Sequence, residues 1–460
     1  MNNRKVFLSG FVLAALLAGT RLAFLFAPVS TDPDEGWNAV HAVLAMGGGA
    51  LYPPAGELTG TNYPPLSFFL VGLLGKMTGD MIFAGRLLAL LGIVCVAVLV
   101  WRLSLKLTRN RLASAGALLL FALYNTTLCR SYFGMDDPQW LGQAFALAGL
   151  AVLMPRAPRA TSSGWRVILA ACLVVAGGFV KQNLVGIPLA ATVWLAMENR
   201  GAFGIWLAAA GGALALGFGL CVDVYGPPFF HNVFFLHRNY QVSRAVLKSL
   251  PILLALLPML WASLWLARFW REDTRLRLLL LCALTALVTG IVERGGSGVD
   301  INAHFESLCV LCILSGLALA RARGAWRWFM VPFIVLVPLG AVQGWREVVS
   351  YPARLAAFEG MEAHIRAQPA PVACEDLAYC YWAGKGYPLD FFLYGQNFLA
   401  THKDRALRVA LADGEIGAAQ IDMPSGPRSA PSDPLPPRLQ SWSTGTLYRS
   451  GGQILIALPR

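Results

Sequence analysis

Apolar runs long enough to cross a bilayer recur along the first three quarters of this chain, and a soluble core cannot bury so many. Roughly eleven are expected, at about 6–28, 81–101, 112–128, 139–154, 166–182, 183–198, 203–222, 249–267, 278–293, 305–320 and 328–344. Only 13% of the 460 residues are charged against 57% hydrophobic, which excludes an ordinary soluble protein. The expected fold class is an α-helical polytopic membrane protein. The first run reads as a retained anchor, because it is long, carries Arg21 and lacks a clear small-residue cleavage site.

Lys and Arg positions orient the bundle. They cluster at Arg4-Lys5, Arg102/Lys106/Arg109/Arg111, Arg156/Arg159/Arg166, Arg268/Arg271/Arg275/Arg277 and Arg321/Arg323/Arg327. Threading the runs alternately puts every cluster on the side of the N-terminus, which is therefore expected to be cytoplasmic. Loops 29–80, 129–138, 223–248 and 294–304 then fall outside, as does everything after about 344. The net charge of +12 is mostly this bias, and the dispersed basic residues argue against nucleic acid as a partner.

The stretch 66–77 is apolar but too short to span, and a span there would reverse the charge rule, so it is expected to lie along the outer interface. No internal repeat is visible. Beyond 344 the character changes: residues 345–460 read as a small periplasmic α/β domain, with 371, 406 and 451 opening its short strand and helix pieces. The Pro/Ser-rich stretch 423–440 reads as a mobile loop. Of nine cysteines, seven lie in or beside the runs as small apolar residues. Cys374 and Cys380 are in the exported tail, where a disulfide is chemically permitted; spacing alone leaves the pairing open.

Nearly all the ionisable residues that need a reason gather on the outer side, where charge near hydrocarbon usually marks chemistry or passage. The first loop (29–80) carries Asp32, Asp34 and Glu35; the second carries Arg130, Asp136 and Asp137. Lys181-Gln182-Asn183 interrupts an apolar stretch at the outer surface. Later loops hold His231, His237, Arg238 and Arg244, then Glu293, Arg294, Asp300, Asn302, His304 and Glu306. Asp137 before Pro138 serves equally well as a helix cap or a catalytic group. Lys181 could snorkel to headgroups, but outer helix ends usually avoid lysine. Arg21 and Arg86 can pair with lipid phosphate or with the acidic cluster.

The run Asp34-Glu35-Gly36-Trp37-Asn38-Ala39 after a first span, followed by Tyr63-Pro64-Pro65-Leu66, resembles the GT-C membrane glycosyltransferases. It is similar in particular to the bacterial branch related to protein O-mannosyltransferases and lipid A aminoarabinose transferase. Arg86, Asp136-Asp137, Gly178-Phe179-Val180-Lys181-Gln182 and Gly298-Val299-Asp300-Ile301-Asn302 with Glu306 fit the same pattern. The resemblance covers about residues 1–345 and, more loosely, the exported tail; residues 1–344 would form the transmembrane catalytic module.

That resemblance implies an inverting transferase in the bacterial inner membrane, using a polyprenyl-phosphate-linked sugar donor and a periplasmic glycan, lipid or protein acceptor. Asp34 would be the general base, with Asp32 two residues away as the other choice, and Glu35 would orient the acceptor or hold the neighbours of Asp34. Asp136 or Asp137 would face the cavity. Lys181, then Arg130 and Arg294, would meet the leaving phosphate. Tyr63, Arg86, Gln182, Asn302 and Glu306 complete the expected substrate-binding set. Some relatives carry a divalent cation (Mg or Mn) bridging the acidic loops, and that question stays open. The competing classes are a lipid or sugar flippase, an O-antigen ligase or polymerase, and a non-catalytic scaffold.

Overall fold

The computed structural model describes residues 3–158, 162–322, 324, 329–422 and 434–459. Arg159, Arg323 and Arg327, and the side chains of Arg4 and Lys5, lie outside the described residues. Helices stand at all eleven apolar runs: α1 (Asn3–Leu22), α4 (Met81–Thr108), α5 (Arg111–Thr126), α6 (Gln139–Leu153), α7 (Gly164–Val180), α8 (Gly186–Glu198), α9 (Arg200–Tyr225), α11 (Val242–Ala267), α12 (Thr274–Glu293), α13 (Phe305–Arg321) and α14 (Val331–Ala367). Between them come α2 (Pro33–Val43), α3 (Leu66–Thr78) and a short turn, α10 (Pro228–Phe230). Six helices (α4, α9, α11, α12, α13 with its leading turn, and α14) are long and apolar enough to cross a membrane by length and composition.

Two boundaries differ from expectation. α1 stops at Leu22, and the chain turns instead of spanning to 28. The carbonyls of Phe24, Ala27 and Val29, freed by that turn, accept hydrogen bonds from the Arg86 guanidinium at 3.1, 2.8 and 2.8 Å. α14 continues to Ala367, past the boundary expected at 344/345, despite Pro338 and Pro352 within it.

α13 is the axis of the bundle. Every residue from Phe305 to Leu319 is buried, as expected for a helix apolar all round and surrounded by others. It packs against α4, α5, α11 and α12, and Phe305 stacks on Trp140 of α6 with ring centroids 4.1 Å apart.

The tail forms a four-stranded sheet of β1 (Val372–Cys374), β2 (Ala418–Asp422), β3 (Gly445–Ser450) and β4 (Gln453–Ala457), in the order β1-β2-β4-β3. β1 and β2 are parallel; β2–β4 and β3–β4 are antiparallel. Four helices accompany it: α15 (Leu377–Trp382), α16 (Phe391–Thr401), α17 (Arg405–Ala412) and α18 (Leu435–Trp442). Of the loop expected over 423–440, residues 423–433 lie outside the described residues, and the rest enters α18. One apolar cluster joins Phe358 and Met361 of α14, Leu377 and Ala378 of α15, and Ala39 and Ile82 from the first loop and α4. The tail and the first loop therefore share a core.

Candidate active site

The site begins with the start of α2. Asp32 caps the helix, its carboxylate accepting from the Asp34 N–H at 3.1 Å, and Pro33 supplies the preset φ of a first helical residue. Asp34 and Glu35 then occupy the first turn, where the helix dipole favours negative charge. One residue of helix turns the side chain by about 100°, so Asp34 faces outward and Glu35 inward.

Glu35 is wholly buried in a forked pair with Arg86, with Nε–Oε1 2.8 Å and Nη2–Oε2 2.7 Å. It also accepts from the N–H groups of Thr31 (2.9 Å) and Asp136 (3.1 Å). Burial alone would push the Glu35 carboxyl up; the hydrogen bonds and charge of Arg86 hold it below the usual carboxylate range. Every strong acceptor direction is filled, so Glu35 and Arg86 join α2, α4 and the second loop.

Asp136 and Asp137 separate in role. The Asp136 carboxyl is buried against Gly85, where an added Cβ would lie 1.8 Å from Oδ1. Burial pushes it well above the carboxylate range, with Glu35 and Asp137 adding to the effect. Asp137 accepts from the Gln139 N–H at 2.7 Å as a helix cap, and receives the Lys181 ammonium on both oxygens, at 3.0 and 2.8 Å. Capping and ion pairing are both true of it. Lys181 is buried, and its Nζ lies 4.8 Å from the centre of the Tyr63 ring.

Asp34 is different. Among the described residues its carboxylate makes no ion pair and no hydrogen bond, and it opens into a crevice of about 130 Å³. Trp37, Tyr63 and Arg238 line that crevice together with Glu375, Asp390 and Phe392 of the tail. The crowding of protein around this opening pushes the Asp34 carboxyl up to about 7, helped by the charges of Asp32 and Asp137 and opposed by Lys181. Asp32 is pushed up to about 6, first by burial. Two groups of the crevice were missed from sequence. Asp390 accepts from Trp37 Nε1 at 2.9 Å and from the Tyr387 hydroxyl at 2.5 Å. Asp390 and Glu375 lie 356 and 341 residues from Asp34, and no spacing rule links them.

Other expected site residues sit elsewhere. Arg130 bonds Glu347 of α14 at 2.7 and 3.0 Å and the Leu17 carbonyl at 3.2 Å, locking α1 to α14. Arg294 pairs with Asp300 at 2.8 Å and bonds the Lys248 carbonyl. Glu306 accepts from the Gly186 and Ile187 N–H groups at 2.9 and 3.1 Å, capping α8 from another helix. Asn302 is buried in the turn before α13. Gln182 donates to the Asn62 carbonyl at 2.5 Å, steadying the loop that carries Tyr63.

The donors do not suit a bridging Mg or Mn. Among the described residues both oxygens of Asp137 face Lys181 and both of Glu35 face Arg86, so neither of these two is free to bridge a cation. Among the described residues no three His, Cys, Asp or Glu side chains gather as a metal site. A second crevice, of about 400 Å³ between α11 and α13, is lined by Trp261, Trp265 and Met259, and among the described residues no titratable group lines it.

No protein-family model matches the sequence, and no curated protein matches it. Solved structures do. The fold superposes on ArnT from Cupriavidus metallidurans bound to undecaprenyl phosphate with a TM-score of 0.65, at 14% identity over 98% of each chain. The apo state of the same ArnT gives 0.62, again at 14% identity over 98% of each chain. The archaeal oligosaccharyltransferase AglB from Archaeoglobus fulgidus, in complex with an inhibitory peptide and a dolichol-phosphate, gives 0.50 at 13% identity, over 91% of this chain and 69% of that one. Across nearly its whole length, tail included, the chain shares the fold of the ArnT structures.

Proposed function

We propose that this protein is an inverting glycosyltransferase that moves a sugar from a polyprenyl-phosphate donor to a periplasmic acceptor, with Asp34 as general base. The observation that carries the reading is the contrast among the carboxylates of the two acidic loops. Glu35 and Asp137 are each held by a cation and Asp136 is sealed in, whereas Asp34 opens into a crevice with no partner among the described residues. A base must be free to take a proton, and a carboxyl near 7 is matched to a hydroxyl losing its proton at neutral pH. The fold likeness to a protein crystallised with undecaprenyl phosphate supports the donor class.

In this reading the acceptor oxygen attacks the anomeric carbon as Asp34 takes its proton. The bond from that carbon to the phosphate oxygen breaks, its electron pair stays on the lipid phosphate, and configuration inverts in one displacement. Lys181, beside Tyr63 and neutralised only by Asp137, would face the growing phosphate charge. Aromatic faces of Trp37 and Tyr63 would hold the sugar ring. An open groove of about 990 Å³ between the first loop and the tail, with His231, His237, Lys403 and Arg405 on its walls, adjoins the crevice at Leu393 and would admit the acceptor.

The topology belongs to the same proposal. The eleven helices would cross the inner membrane with the N-terminus cytoplasmic and residues 345–460 periplasmic, α3 lying in the outer interface. The bond between Cys374 and Cys380 supports an oxidising compartment for the tail. Purified protein given polyprenyl-phosphate sugars and an envelope extract tests the reading. Sugar-dependent release of polyprenyl phosphate is expected. No release with any donor, from folded protein, would end it.

A further inference from the structure

The disulfide sits against the helix that carries Asp34. Cys374 ends β1, Cys380 lies in α15, and both are buried with their Cα atoms 5.9 Å apart. The segment they close, Glu375-Asp376-Leu377-Ala378-Tyr379, includes the turn on which α2 rests. A Cβ added at Gly36 would lie 1.9 Å from the Ala378 nitrogen and 2.5 Å from the Leu377 carbonyl carbon, so the two backbones touch and only glycine fits. The same turn forms a wall of the crevice: Cys374, Glu375 and Leu377 line it with Asp34. α15 also holds the start of α4, because the Met81 N–H donates to the Tyr381 hydroxyl at 2.7 Å and Trp382 Nε1 donates to the Asp80 cap at 2.9 Å.

We infer that the Cys374–Cys380 disulfide positions the active site, by closing the turn that seats Gly36 and so holding Asp34 at the crevice. A staple remote from the site would only restrict the unfolded chain. This one spans the turn against which the α2 backbone is pressed at Gly36, one residue after Glu35 and two after Asp34. With the bond absent, the turn relaxes, α2 loses a rigid seat, and water enters beside the Asp34 carboxylate. The inference rests on Asp34 being the base. The charges facing that carboxylate are Asp32 from its own cap, Asp137, Lys181 and Asp300, with Arg238, Glu375 and Asp390 on the crevice walls. None of them is altered by replacing the two cysteines.

The test compares the wild-type protein with the double variant Cys374→Ser/Cys380→Ser, in detergent, for polyprenyl-phosphate release. Expected are a kcat at least about tenfold lower, a donor KM within about twofold of wild type, and an acidic limb of the kcat–pH profile moved to lower pH as Asp34 gains solvent. A wild-type kcat with an unmoved limb overturns the inference. Should the double variant not accumulate, Gly36→Ala is read in its place: it keeps the disulfide, disturbs the same seat and is expected to show the same split, and a wild-type profile from it overturns the inference equally. If wild-type protein itself releases no polyprenyl phosphate, the proposed function falls instead.

Discussion

Replacing Arg86 by alanine separates a structural role for the Arg86–Glu35 pair from a catalytic one. The two side chains are 2% and 0% exposed, so the substitution strands a buried carboxylate with only the Thr31 and Asp136 N–H groups as donors. Breaking a buried pair from one side costs about 3–5 kcal/mol. The Phe24, Ala27 and Val29 carbonyls also lose their donor, each worth about 1 kcal/mol after water enters. Together these predict a loss of roughly 5 kcal/mol or more, which lowers the midpoint of thermal unfolding in detergent by about 10 °C. Arg86→Met combined with Glu35→Leu removes both charges together and is expected to recover most of that loss. Near-wild-type turnover in the double variant, measured below its midpoint, is also expected, because neither group reaches the crevice. A stable Arg86→Ala protein with no turnover would refute the reasoning and return the pair to the chemistry.

Asp34 works as a base only when deprotonated, so kcat is expected to fall about tenfold per pH unit below a limb at about 7. The same group makes a stability prediction with a definite sign. Its folded pKa lies above the unfolded value, so the folded form binds the proton more tightly. Stability is therefore favoured below the ordinary carboxylate range and declines as pH rises to about 7, and Asp34→Asn is expected to raise the unfolding midpoint more at pH 8 than at pH 4. Arg130→Ala is expected to lower the unfolding midpoint and leave the donor KM unchanged, since Glu347 of α14 and not the crevice is its partner; a raised KM with normal stability would place it back at the site. Lys181→Met is expected to weaken donor binding about tenfold or more and to move the kcat limb upward, because the ammonium opposes the proton on Asp34; unchanged donor affinity would leave it as the partner of Asp137 alone.

Much of the fold is legible because its cause is local. Each of the eleven apolar runs became a helix, since a long unbroken apolar segment with no polar face has few other ways to satisfy its backbone. The acidic motif after α1 is legible for the same kind of reason: Asp32, Pro33 and the two carboxylates that follow are helix-start chemistry wherever they stand. Long-range choices are not legible. Nothing near Glu35 says that its partner is Arg86, 51 residues on, and nothing near Arg130 names Glu347, 217 residues away. Arg86 reads as a partner of lipid phosphate or of the acidic cluster and Arg130 as a phosphate ligand, and in the structure they form buried pairs with Glu35 and Glu347. The tail's part in the crevice is hidden altogether. Glu375, Asp390 and Phe392 arrive there because one apolar cluster joins β1 and α15 to the first loop, a fact of packing and not of pattern. The end of α1 was overestimated at 28 because residues 23–28 are apolar, yet they turn to offer their carbonyls to Arg86.

The central claim is that one unpaired carboxylate, Asp34, takes the acceptor proton, while the Glu35–Arg86 pair holds the frame and Lys181 meets the leaving phosphate. Single-turnover sugar transfer by Asp34→Asn, measured beside its affinity for the polyprenyl-phosphate donor, meets that claim directly. The account predicts donor affinity within about twofold of wild type and a transfer rate reduced by about a hundredfold or more. Transfer at the wild-type rate would contradict it and pass the role of base to Asp32 or another group of the crevice.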